Sequence, residues 1–316
     1  MARVAAIVLN WRRPLDTVRC VSSLIALGRD LDIIVLDNDS GDGSLGVIES
    51  GLAAIIAGRP GVAFIQTGHN GGYAFGNNVG IRVALERQDC EFVWILNNDT
   101  VVPGPASLDA LCARMDADPS IGICGSTVVF ADRPGIVQSL GGGTFNPLTG
   151  RCRPIGLGDP LSNPIDQEAV ERRLAYVSGA AAFVRRAYVE AVGPMTEDYF
   201  LYYEEIDWAW RGKDRFRLGY AADSVVFHAV GASIGTDDFG NSSAASRYYF
   251  ARSTLKFLAR RWAISLPIGA AMLVREALAE LLRGRWRNAE AIGLALAGQP
   301  LAEHCSGPSF RPYWRK

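Results

Sequence analysis

Glu91-Phe92-Val93-Trp94-Ile95-Leu96-Asn97-Asn98-Asp99-Thr100 is an apolar run that ends in a cluster of polar side chains. Its length and apolar content predict a buried strand, which delivers Asp99 to its carboxyl end. In an open α/β sheet that end faces the ligand crevice. A carboxylate launched there is placed to hold a divalent cation against a phosphorylated ligand.

The same pattern repeats on the N-terminal side. Val4 to Leu9, Asp32 to Leu36 and Val62 to Gln66 are short apolar runs, separated by amphipathic stretches near 14–28, 45–58 and 74–87; another such stretch, 105–118, follows Asp99. Strands alternating with helices predict a largely parallel sheet covered on both faces. The strands end in polar or glycine-rich loops: Asn10-Trp11-Arg12-Arg13, Asp37-Asn38-Asp39-Ser40-Gly41-Asp42-Gly43, Gly68-His69-Asn70-Gly71-Gly72 and Asn97-Asn98-Asp99. Such loops are where an α/β protein builds its site.

Arg133 to Glu171 is rich in Gly and Pro and is expected to be an irregular excursion. A strand is predicted over Ala175 to Arg185, a helix over Tyr203 to Lys213 and a strand over Tyr220 to His228. From Ala244 onward the pattern is helical.

With 316 residues, 49% of them hydrophobic, the chain can bury a large core. Its formal net charge of -1 argues against a nucleic-acid protein held by phosphate electrostatics, so a small-molecule partner is expected. The six cysteines show no CxxC pair, and neither a disulfide framework nor a zinc site is signalled. The chain reads straight into a strand with no signal-like leader, and a cytoplasmic location is expected. No run reaches the roughly 20 apolar residues that span a bilayer. The segment Trp262 to Leu282, with arginines in and around it, suits either an anionic membrane surface or a helical pair packed on the core.

Taken together, the motifs resemble family 2 glycosyltransferases, nearest to the bacterial rhamnosyltransferase-like branch. The resemblance is carried by Ile7-Val8-Leu9-Asn10-Trp11, Leu36-Asp37-Asn38-Asp39-Ser40-Gly41-Asp42-Gly43-Ser44, Asn70-Gly71-Gly72-Tyr73-Ala74-Phe75-Gly76-Asn77-Asn78 and Asn97-Asn98-Asp99. In the second half come Ser178-Gly179-Ala180, Tyr202-Tyr203-Glu204-Glu205-Ile206-Asp207-Trp208 and His228-Ala229-Val230-Gly231. The motifs run in family order over about residues 4–255.

The resemblance implies a GT-A fold: a Rossmann-like, mostly parallel central sheet flanked by helices, with a helical C-terminal extension. It implies a nucleotide-sugar-binding half at 1–132, an acceptor-binding and catalytic half at 133–240 and the extension at 241–316. The implied reaction is inverting transfer of a single sugar from a nucleotide-diphosphate donor to a hydroxyl of a saccharide or lipid-linked acceptor. dTDP-rhamnose is the donor suggested by the branch.

It also implies roles. Leu9, Asn10, Asp37, Asn38, Asn70, Gly72, Asn78, Asn97, Asn98 and Arg252 would line the nucleotide sugar. Asp99 and His228 would hold Mg2+ or Mn2+. The family's DxD-type motif is reduced here to one carboxylate, and an asparagine carbonyl is a weaker ligand. Glu205 maps to the base that deprotonates the acceptor, with Glu204 and Asp207 beside it; the family usually has Asp where Glu205 stands. Gly179, Ala180 and Trp208 would face the acceptor. A homodimer and peripheral contact with the inner face of a membrane are further expectations.

Each residue also has a plainer reading. Asp37 to Gly41 are ordinary turn residues, the acids of 204–207 complement a helix N-terminus, and aromatic residues at helical spacing are commonly core. If 204–211 is helical, Glu204, Asp207 and Arg211 share a face, with Glu205 about 100° away. The Gln-x-x-Arg-Trp segment of processive synthases is missing, which favours single-sugar addition, and Ser253 stands where the branch often has Asn. A nucleotide-dependent oxidoreductase would need GxGxxG after the first strand, where Asn10-Trp11-Arg12-Arg13-Pro14 stands instead. The rival that survives is a weakly active or non-catalytic binding module on the same fold.

Overall fold

Alternate residues of the first strand enter two different cores. Val4, Ala6 and Val8 pack on one face of the sheet and Ala5 and Ile7 on the other, all fully or nearly fully buried. A strand covered on both sides therefore reads as an unbroken apolar run. The computed structural model describes residues 3–59, 61–229 and 242–305.

The chain begins β1 (Arg3–Asn10), α1 (Pro14–Ala26), β2 (Leu31–Asp37), α2 (Ser44–Ile56), β3 (Val62–Gln66), α3 (Tyr73–Glu86) and β4 (Cys90–Asn97). Then follow β5 (Thr100–Val101), α4 (Pro105–Ala117), β6 (Ile121–Phe130), β7 (Val137–Leu140), β8 (Gly142–Asn146), β9 (Arg151–Pro154), α5 (Gln167–Glu171) and β10 (Tyr176–Val177). β11 (Ala181–Arg185), α6 (Arg186–Val192), α7 (Glu204–Gly212) and β12 (Arg217–His228) lead to the helices α8 (Ala244–Arg261), α9 (Leu266–Leu282) and α10 (Trp286–Leu296).

The main sheet has the order β3-β2-β1-β4-β11-β6-β12-β5, with β7 on β6. Its first four strands are parallel, as the alternation predicts. β11 then runs antiparallel to both β4 and β6, so the sheet is mixed. Helices α1, α2 and α4 cover one face through residues such as Leu24, Leu52 and Leu111; α3 and α6 cover the other through Ile81 and Tyr188. Gly76 and Gly80 let α3 approach the sheet, because a Cβ at either would overlap Leu9 or Ile7.

Three expectations change. The strand predicted over 175–185 is two strands in different sheets, β10 beside β8 and β11 beside β4, broken at Ser178-Gly179-Ala180. The excursion 133–171 holds β7, β8, β9 and α5. β6 does not emerge from the pattern, although all ten of its residues are buried. Its Gly122, Gly125, Ser126 and Thr127 dilute the apolar signal, and Gly125 is needed where Gly141 crosses, since a Cβ would strike the Gly141 carbonyl.

The chain divides into two compact units, one of Met1–Thr144, Arg153–Thr196 and Glu205–Ala229, the other of Phe145–Cys152, Glu197–Glu204 and Val230–Lys316. In the second, Tyr203 is buried; its hydroxyl donates to the Gly150 carbonyl and accepts from Thr254 Oγ1 at 2.8 Å, while its ring meets Phe145 and Phe257. Tyr202 and Tyr203 hold φ of 68° and 75°, a left-handed conformation unfavourable for bulky residues, just ahead of α7.

Candidate active site

Parallel pairing brings the carboxyl ends of β1, β2 and β4 level, with Asn10 opposite Asp37 and Leu9 opposite Asn97. Three groups of side chains gather along this edge of the first unit.

The first group is centred on Asp37, which is buried. Its Oδ1 accepts from Asn10 Nδ2 at 2.6 Å and from Ser40 Oγ at 2.5 Å, and its Oδ2 accepts from the Ser40 backbone N–H at 3.0 Å. Asn10 Oδ1 in turn accepts from Thr17 Oγ1 at 2.8 Å, and Asn98 Nδ2 donates to Thr17 Oγ1 at 3.1 Å. Asn38 donates to Asn70 Oδ1 and to the Gly72 carbonyl, at 3.0 and 3.1 Å. The network joins four loops far apart in sequence. Arg12 and Asp39, inside it, hold φ of 56° and 55°, strain that a fixed loop shape requires.

The second group is Asp99, His228, Asn97 and Gln138. Antiparallel pairing of β5 with β12 sets Thr100 opposite His228, and the Asp99 carbonyl accepts from Ala229 N–H at 3.0 Å. Asp99 Oδ1 lies 3.1 Å from His228 Nε2, with both side chains largely buried. Asn97 Nδ2 is 3.3 Å from the same Nε2, and Gln138 Oε1 is 2.8 Å from His228 Nδ1. In the tautomer that donates Nδ1–H to Gln138, Nε2 turns its lone pair toward Asp99. In that tautomer a carboxylate oxygen and a ring lone pair converge at a separation that a bound cation would bridge. Val230 and Gly231, the end of this motif, lie outside the described residues.

The third group is Glu205 on α7, against Gly179. A Cβ at 179 would overlap Glu205 Oε1, and Tyr73 Oη donates to the Gly179 carbonyl at 2.7 Å. Burial raises the Glu205 carboxyl above its ordinary 4.5, opposed in part by its own backbone N–H. Asn97 N–H donates to the Ala180 carbonyl at 3.1 Å, which ties this niche to the Asn97-Asn98-Asp99 end of β4.

Other candidates have internal duties. Asp207 is fully buried; its Oδ2 accepts from Thr196 Oγ1 at 2.7 Å and pairs with Arg211 Nε at 3.2 Å, one helical turn on. Trp208 lies in the core: its indole N–H donates to the Gly193 carbonyl at 2.8 Å and its ring packs on Tyr188. Asn78 is buried and braces Met195, donating to its carbonyl at 2.8 Å and accepting from its N–H at 3.0 Å. In the second unit Glu204 is buried at the head of α7, and Arg252 is exposed on α8 with its guanidinium 3.1 Å from Tyr248 Oη.

The sequence model described as Glycosyl transferase family 2 matches residues 6–193, more than half of the chain, including the Asp37 network, Asp99 and Gly179, while Glu205 and His228 lie beyond it. The chain belongs to glycosyltransferase family 2. Over 300 aligned residues this glycosyltransferase is 28% identical to the N-acetylglucosaminyl-diphospho-decaprenol L-rhamnosyltransferase of Mycobacterium tuberculosis, an alignment that covers 86% of the chain and 93% of that relative. Its fold is similar to that of a Pyrobaculum calidifontis mannosyltransferase solved with GDP-Man and Mn2+, at a TM-score of 0.57, 16% identity and coverage of 94% of this chain and 86% of that one. It is also similar to GalNAc-T7 solved with UDP, GalNAc and Mn2+, at a TM-score of 0.58, 14% identity and coverage of 81% and 48%. The mixed sheet of this glycosyltransferase and its helical C-terminal region are thus those of a GT-A protein.

Gln138, Tyr73, Thr17 and Ser40 were not foreseen. Tyr73 and Ser40 stand inside the quoted motifs without a role assigned to them; Gln138, in the Gly- and Pro-rich excursion, carried no signal.

Proposed function

We propose that this glycosyltransferase transfers one sugar, with inversion, from a nucleotide-diphosphate donor to a hydroxyl of a lipid-linked saccharide in the cytoplasm. The mycobacterial relative favours a rhamnosyl donor and a diphospho-polyprenol-linked N-acetylglucosamine as acceptor, and the branch resemblance suggests dTDP as the donor's nucleotide. The observation that carries the reading is the Glu205 carboxyl, sunk beside Gly179 and tied through Ala180 to the end of β4 that bears Asp99.

A carboxyl with a raised pKa is a better proton acceptor than an ordinary one, and in its ionised form Glu205 takes the acceptor hydroxyl's proton as that oxygen attacks. Gly179 leaves the space in which the carboxylate sits, and Tyr73 holds that backbone in place. Asp37, Asn10 and Ser40 set the shape of the loop that receives the nucleobase, with Asn38, Asn70 and Gly72 on its other side. Residues 1–132 thus serve the donor and 133–240 the acceptor and the proton transfer.

The Asp99 and His228 cluster fits a divalent cation, because in the tautomer that donates Nδ1–H to Gln138 a carboxylate oxygen and the imidazole lone pair converge 3.1 Å apart. Asp99 and His228 would hold Mg2+ or Mn2+, with Asn97 adding its amide oxygen if that group is turned over. When bound, the ion neutralises the charge that grows on the diphosphate leaving group.

The reading is tested by incubating the protein with dTDP-rhamnose, Mn2+ and a polyprenyl-diphosphate N-acetylglucosamine. A rhamnosylated product with anomeric configuration opposite to the donor's is expected. Donor binding without transfer or hydrolysis, across several nucleotide sugars and acceptors, would favour the binding-module reading.

A further inference from the structure

One face of α9 is apolar and open to solvent. Ile264 and Leu282 are 88% and 90% exposed, and Ile268, Val274, Leu278 and Leu281 are each about half exposed. From Ile268 through the exposed Ala271 to Val274, Leu278, Leu281 and Leu282 the spacing is three or four residues, which aligns them in a stripe about 21 Å long at the helical rise, with Ile264 just ahead of the helix. Trp286, 54% exposed, follows at the start of α10. Soluble monomers seldom leave so continuous an apolar patch in water.

The charges around the stripe are one-sided. The two acids of α9 face away from it: Glu276 pairs with Arg247, and Glu280 is fully buried among Arg247, Arg283, Arg285 and Asn288. Among the exposed positions of α9 the one charged side chain is Arg275. Arg283 and Arg287 lie exposed beyond its C-terminal end, and residues 242–305 hold nine basic side chains to four acidic ones. No helix among the described residues is long and apolar enough to cross a membrane.

We propose that this face of α9 lies in the surface of an anionic bilayer, with Ile268, Val274, Leu278, Leu281 and Leu282 among the acyl chains and Arg275, Arg283 and Arg287 at the headgroup phosphates. Trp286 sits at the boundary, where an amphipathic ring is favoured. A second copy is a poorer occupant, because a two-fold contact sets this arginine-rimmed face against itself, whereas anionic lipid neutralises it. The inference rests on α9 and its surroundings alone and does not depend on the acceptor proposed above.

The test is flotation of the full chain with phosphatidylcholine vesicles with and without phosphatidylglycerol. The protein is expected to float with the anionic vesicles. A combined Leu278→Ser/Leu281→Ser/Leu282→Ser variant lowers the vesicle-bound fraction about tenfold or more. Arg275→Glu/Arg287→Glu lowers it by about fivefold or more per reversed charge, through the charge term alone. All these positions are exposed, so melting temperature and the thermal shift with nucleotide sugar are expected to stay as in the wild type. A wild-type protein that stays in the bulk, or variants that float as well as it does, would overturn the proposal. So would light scattering that finds a lipid-free dimer which the triple serine variant turns into a monomer, since a second copy then covers the face.

Discussion

Asp99 Oδ1 stands 3.1 Å from His228 Nε2, and the far nitrogen of the ring is held by Gln138 Oε1 at 2.8 Å. The pair comes from opposite ends of the sheet's construction: Asp99 follows the last strand of the parallel half, and His228 ends β12. By accepting Nδ1–H, Gln138 would select the tautomer whose Nε2 faces the carboxylate with its lone pair.

Gln138→Leu removes that selection without touching Asp99 or His228. We expect Mn2+ affinity, measured by titration in the presence of nucleotide sugar, to fall about 10- to 100-fold, with the fold intact by circular dichroism. Unchanged affinity would mean that the ring needs no such orientation.

Gly179→Ala tests the niche of Glu205. The added methyl group occupies the volume of Glu205 Oε1, and displacing a reacting group by about 1 Å costs on the order of 100-fold in rate. Transfer should drop by that amount while donor binding, read by thermal shift, persists. Equal loss of both would point to a collapsed loop.

Glu205→Gln should lower transfer about 10²- to 10⁴-fold and raise the melting temperature at neutral pH. Burial lifts the folded-state pKa above the unfolded chain's 4.5, so the folded protein binds more protons across that window and loses stability as pH rises through it. The stability gained by the substitution is therefore fully present above the folded pKa and vanishes below 4.5. Melting curves across acid and neutral pH check the sign, and a variant less stable than wild type at neutral pH would contradict it.

Asp37→Asn keeps the size of the side chain and replaces one acceptor oxygen by a donor in a network that supplies donors from Asn10 and Ser40. We expect a loss of about 1–3 kcal/mol in stability by chemical denaturation, with weaker donor binding.

The parallel half of the fold was legible because strands buried on both faces leave short apolar runs and their helices leave a clear period. β6 was hidden by its Gly, Ser and Thr residues, of which Gly125 is required where Gly141 crosses. Asp99, Glu205 and Gly179 stood out by motif. Trp208 and Asn78 belong to the same motifs, yet the structure uses them as a core ring and a backbone brace, roles that spacing does not reveal. The left-handed Tyr202 and Tyr203 were illegible for a related reason: what holds them, Ser246 for Tyr202 and Gly150 with Thr254 for Tyr203, is tertiary.

The most direct test is a melting-temperature panel of wild-type and Asp99→Asn protein with dTDP-rhamnose, UDP-glucose, UDP-N-acetylglucosamine and GDP-mannose, each with and without Mn2+. A ligand that binds only the folded state raises the melting temperature by mass action. We predict a rise for one nucleotide sugar that requires Mn2+ and is lost in Asp99→Asn. A rise of equal size without the metal, or one that survives the substitution, would contradict the assignment of Asp99 and His228 as the metal-holding pair.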